Sequence, residues 1–126
     1  MVNFSETVSR FLIRDNIKAS DNAIRHAAFL PPAHNLKISV FRIYDLSVQE
    51  IWHLAVEKVE PHRGKVTGRG DLTVSAITEE KLRVVPDEES TSRHADIVGW
   101  PDDRDLRATI AKVLAAKASL FMKTDP

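Results

Sequence analysis

The clearest hydrophobic pattern lies between Ser47 and Pro61. Val48, Ile51, Trp52, Ala55, Val56 and Val59 recur at i, i+3, i+4, i+7, i+8 and i+11, the spacing of one helical stripe. Ser47 and Glu50 occupy the two positions of a capping box, in which the serine accepts an amide and the glutamate reaches back. Pro61 limits the helix at its far end. The whole stripe, Trp52 included, is expected to face the core.

Two shorter helices are expected before it. Phe4, Val8, Phe11 and Leu12 are spaced as one helical face over residues 4–14, with Ser5 as the cap and Asp15-Asn16 as the stop. Ile24, Ala27 and Ala28 form a second face after Ser20 and Asp21. That segment ends at Pro31-Pro32, because a residue before proline avoids the α region. Residues 36–44 read as a strand: Leu36, Ile38 and Val40 alternate with Lys37 and Ser39. The parity then flips at Phe41 and Ile43, which predicts either a bulge or burial of both faces.

Residues 62–71, HRGKVTGRGD, read as a flexible basic loop. Short strands follow at 72–77, 82–85 and 94–98. A last helix, over 103–121, is capped by Asp102 or Asp103 and carries Leu106, Ile110, Val113, Leu114, Leu120 and Phe121 as its apolar stripe. The fold class is therefore α+β. A small, mostly antiparallel sheet of three to four strands packs against two main helices, in one domain spanning 1–126.

Composition narrows the function classes. A chain of 126 residues with 43% apolar and 29% charged residues is an ordinary globular domain. It has no cysteine, which excludes a disulfide framework and thiolate zinc. Eighteen Lys and Arg balance eighteen Asp and Glu, which argues against a nucleic-acid-coating domain but leaves room for one local phosphate contact. No apolar run reaches the ~20 residues of a membrane span. The N-terminal apolar stretch is interrupted by charge, unlike a signal peptide. A cytoplasmic protein without metal or cofactor is expected.

Three constellations could carry chemistry. Arg93, His94 and Asp96 lie on the 94–98 strand and its entry. His94 and Asp96 share a face there, so a carboxylate could orient a histidine base. A half-buried strand with polar residues on its open face shows the same spacing. Glu50, His53 and Glu57 share the exposed face of the 48–59 helix, with the Glu-x-x-His spacing of diiron bundles but no second copy. Arg63, Lys65 and Arg69, set among Gly64, Gly68 and Gly70, could wrap a phosphate, although neither a Walker loop nor GxGxxG is present. No nucleophile stands out: Ser90, Thr91 and Ser92 near His94 suit an ordinary turn. On the last helix, Ala108, Ala111, Ala115 and Ala118 line the side away from the apolar stripe, where a second helix could approach closely.

The stretches 28–52 and 93–101 resemble blocks in small bacterial proteins; the resemblance names no family and implies no activity. The residues favour a non-enzymatic binding or accessory module. It would contact a partner protein or a second copy through the 103–121 helix at Ala111 and Ala115, with a phosphate-containing ligand possible at the 62–71 loop. The alternative is a small hydrolase, a phosphoesterase or nuclease, using His94 as base with Asp96, and Arg93 or Arg69 holding phosphate. A second alternative is a small-molecule sensor. Convergence of three of His94, Asp96, Arg69 and Asp71 in one pocket would favour the enzyme or the sensor.

Overall fold

The computed structural model describes residues 2–87 and 93–123. At its centre is a strand, β1 (Thr7–Ile13), where the apolar spacing had predicted a helix. Val8 and Leu12 join one core cluster while Phe11, between them, joins another on the opposite face. A strand buried on both sides loses the polar–apolar alternation, and its apolar residues then mimic a helical face. The segment expected as a second helix is instead two short strands, β2 (Ile17–Lys18) and β3 (Ala23–Ile24), which pair antiparallel, followed by a 3-10 turn at His26–Phe29.

Further along lie β4 (Ile38–Arg42), α1 (Val48–Lys58), the short α2 (Glu60–Arg63), β5 (Val66–Thr73) and the short α3 (Val74–Thr78). They are followed by β6 (Arg83–Pro86), β7 (His94–Val98), α4 (Arg104–Lys117) and β8 (Ser119–Met122). Six strands form one antiparallel sheet in the order β6-β7-β4-β1-β5-β8. The sheet is larger than the three or four strands expected. β1 came from a predicted helix, β5 from a predicted loop, and β8 from the tail of the predicted last helix.

Gly68 and Gly70 explain why β5 reads as a loop. A Cβ on Gly70 would come 2.8 Å from Ile24 Cδ1 and 3.5 Å from Phe29. The bare backbone lets β3 and the 3-10 turn lie against the sheet, so these glycines mark a close approach.

α4, the 3-10 turn and α3 cover one face, around Val8, Leu12, Phe29, Ile38, Val40, Ile97 and Leu114. α1 covers part of the other, around Phe11, Ile43, Ile51, Ala55 and Val59. The parity flip in β4 is thus burial of both faces: Val40 packs into the first cluster and Phe41 against the second.

α1 is capped as expected, with Ser47 accepting from the Glu50 amide and Glu50 accepting from the Ser47 amide. Its buried line is Ile51, Ala55 and Val59. Val48 and Val56 are exposed and Trp52 is half-buried, so the stripe is rotated toward Leu54 from the one expected. α4 starts at the Asp103 cap and ends fourteen residues later at Lys117. Its alanine side is the core side: Ala111 and Leu114 are fully buried, and Ala115 and Ala118 pack against the first cluster. This corrects the expectation that Ala111 and Ala115 face a partner helix. Small residues were needed because the 3-10 turn carrying Phe29 lies directly against α4. Lys117 turns out to the acids that follow α3, 3.2 Å from Glu79 and 3.0 Å from Glu80.

Candidate functional site

The β1–β4 ladder runs only through Val8–Arg42 and Ser9–Phe41, although both strands continue beyond it. Past that point they part, and two arginines supply the missing donors. Arg10 Nη1 donates to the Ser39 carbonyl at 2.9 Å, and its Nε to the Ala28 carbonyl at 2.9 Å. Arg63 Nη1 donates to the Phe11 carbonyl at 2.6 Å, and its Nη2 to Asn16 Oδ1 at 3.0 Å. Each arginine thus takes the place of a strand neighbour for a carbonyl that the ladder leaves without one.

The parting of the strands opens a cleft of about 280 Å³ under the end of α1 and under α2. Arg10, Lys58, His62, Arg63, His94 and Ser39 line it with Phe11, Phe41 and Val59, and among the described residues no carboxylate does. Burial, and then repulsion from Arg63, pulls the Arg10 guanidinium down to about 9, which still leaves it cationic at neutral pH. Burial lowers Arg63 as well. Among the described residues neither arginine forms an ion pair, and neither does Lys58. Among the described residues, the fold gathers these three cations here without pairing any of them with a carboxylate.

His94 stands at the β7 side of the cleft. Its Nε2 is 3.1 Å from Ser39 Oγ and 3.4 Å from Asp96 Oδ1, and its Nδ1 is 3.4 Å from Asp87 Oδ2. The ring meets Phe41 edge-on, with centroids 5.6 Å apart. His94 and Asp96 therefore share a face, as strand alternation requires. Arg93 points elsewhere. It grips Asp45 with both Nη atoms, at 2.5 and 3.3 Å, and donates to the Arg42 carbonyl at 3.2 Å. Ser90, Thr91 and Ser92 lie outside the described residues.

The residues of the expected basic loop are dispersed. Arg63 ends α2, Lys65 is exposed between α2 and β5, and Arg69 is buried within β5. Arg69 pairs with Asp71 at 3.2 Å, and Ser9 Oγ donates to Asp71 at 2.7 Å. Burial raises the Asp71 pKa, against the opposing pull of Ser9 and Arg69. β7 and β5 stand three strand spacings apart in the sheet, roughly 14 Å. His94–Asp96 and Arg69–Asp71 are thus two separate pairs. On the outer face of α1, His53 Nε2 lies 3.4 Å from Glu57, both exposed, and Glu50 serves the cap.

Arg10, Ser39, Lys58 and His62 were not singled out in the sequence. Arg10 could have been: it is the one charge inside the apolar run of residues 8–13, and a charge on a strand buried on both sides must find partners. The others come together only through the sheet order. Among the described residues, no helix is long and apolar enough to cross a membrane, and no group of three His, Asp or Glu could hold a metal ion. No family model, no curated protein and no solved structure matches the chain.

Proposed function

We propose that the protein is a non-enzymatic binding or accessory module that engages an anionic group of a partner macromolecule in the cleft between β1, β4 and α2. One observation carries this reading. Arg10, Lys58 and Arg63 line the cleft with His62 and His94, without a carboxylate among the lining residues. Arg10 and Arg63 are partly withdrawn from water, and a charge so placed is normally paired; among the described residues no carboxylate pairs with either. The separation of the His94–Asp96 and Arg69–Asp71 pairs supports binding over catalysis. The test compares retention of the partner macromolecule on the immobilised protein with retention on a Lys58→Glu, His62→Glu variant, at low and high salt. Retention lost in the variant and in high salt supports the reading; equal retention by both proteins counts against it.

A hydrolase is the second reading, favoured by the contacts of one side chain. His94 Nε2 lies beside Ser39 Oγ and its Nδ1 beside Asp87, the order in which a histidine takes a proton from a hydroxyl and a carboxylate orients the ring. A panel of carboxylic and phosphoric esters separates the two. Turnover abolished by both Ser39→Ala and His94→Ala would replace the binding reading.

A further inference from the structure

We infer that the anionic group held in the Arg10–Arg63 cleft is a phosphate monoester. The inference rests on the binding reading above and adds the chemistry of the ligand. The cleft presents three permanent cations, Arg10, Lys58 and Arg63, with two imidazoles beside them. A single carboxylate would neutralise one of the three. A phosphate monoester carries about −1.5 to −2 charges at neutral pH and three strong acceptor oxygens.

The donors left over match that demand. Arg10 spends Nε and Nη1 on the Ala28 and Ser39 carbonyls, which leaves Nη2 without an acceptor among the described residues. Arg63 spends Nη1 and Nη2 on Phe11 and Asn16, which leaves Nε. Lys58 and His62 are exposed at the mouth and make no ion pair among the described residues. Ser39 Oγ, which pairs with His94 Nε2 at 3.1 Å, lies on the same lining, so the donors come from four elements: β1, β4, α1 and α2. The arginine heads are already fixed by backbone carbonyls, so little side-chain freedom is lost when an anion arrives. At about 280 Å³ the cleft suits a phosphate and the few atoms that bear it, below the usual ~300–1,000 Å³ of drug-sized pockets.

Arg10 and Arg63 also hold the sheet seam, so replacing either could unfold the protein. The informative variant is Lys58→Gln with His62→Gln, whose side chains serve no backbone group. Calorimetric titration of the full chain at pH 7.5 and constant ionic strength would compare inorganic phosphate, acetate, free phosphoserine and a phosphoserine peptide. Phosphate should bind at least tenfold more tightly than acetate. The double variant should lose fivefold or more of that affinity while its urea midpoint stays unchanged. A peptide that binds more tightly than free phosphoserine places the phosphate on a protein partner; equal affinities place it on a small ester. Equal binding of phosphate and acetate, or unchanged phosphate affinity in the double variant, overturns the inference. If partner retention still depends on Lys58 and His62 in that case, the binding reading survives and only the phosphate assignment falls.

Discussion

The guanidinium carbon of Arg69 lies 4.8 Å from the centroid of the Trp52 ring, with the Phe121 ring 4.6 Å away. Trp52 is half-buried because it rests on this arginine, and Arg69 is 6% exposed because α1 and β8 supply an aromatic ring each. Cation–π contact of this kind offsets part of the desolvation of the charge. Asp71 pairs with the same guanidinium at 3.2 Å.

Arg69→Met should therefore be costly, because it strands the Asp71 carboxylate. Breaking one side of a buried pair costs about 3–5 kcal/mol. Adding Asp71→Asn should recover a large part of the loss, since the amide oxygen can still accept from Ser9. Urea unfolding of the single and double variants would measure this. A double variant as unstable as the single one would show that the rings, and not the charge pair, hold Arg69 in place.

The line Ile51, Ala55, Val59 carries α1, and its exposed valines do not. Ile51→Ala should cost about 2–4 kcal/mol, as for other large buried aliphatic truncations. Val48→Ala, at 61% exposure, should stay within about 0.5 kcal/mol. Similar losses at both positions would restore the wider stripe that the periodicity suggests.

What was legible in the sequence was whatever depends on neighbours along the chain. The Ser47–Glu50 box, the Asp103 cap, the antiparallel α+β class and the strand at Ile38–Arg42 all follow from local chemistry. The failures share one cause. β1, β5 and the core side of α4 are each pressed on by a distant element, and that contact replaces the usual signature: two-sided burial in β1, glycines in β5, alanines in α4. Of the candidate site, His94 and Arg63 were visible as chemistry. That they meet across a parting between β1 and β4 depends on sheet order, which no local pattern encodes.

Glu6 gives the fold an acid-sensitive contact. It is buried and accepts from Arg42 Nε at 2.6 Å and Nη2 at 3.0 Å. Burial opposes its ionisation, but the Arg42 hydrogen bonds, the Asn3 amide and the Arg42 charge together hold its pKa below the ordinary carboxylate value. A folded-state pKa below the unfolded one gives stability that is fully present above the unfolded value, and that is lost as pH falls through the folded one. Glu6→Gln should therefore cost roughly 1.5–3 kcal/mol at pH 7, and the gap from the parent should narrow below about pH 4. Urea midpoints at pH 7, 5 and 3 would show it; a gap constant across that range would mean that the charge of Glu6 contributes nothing.

Two positions on α4 separate a core alanine from a surface one. Ala111 is fully buried against the cluster that contains Ala28 and Phe29, while Ala116, five residues further on, is exposed. A glutamate at 111 would be fully buried against an apolar cluster. It must either lose its charge or force α4 off the 3-10 turn, and both routes belong to the most damaging class of substitution. Ala111→Glu should lower stability by more than about 4 kcal/mol, which is enough to unfold many domains of this size. Ala116→Glu should change it by less than about 0.5 kcal/mol. Circular dichroism with urea titration would separate the two. If Ala111→Glu folds normally and light scattering shows a loss of assembly, α4 lies the other way round, with its alanines turned outward.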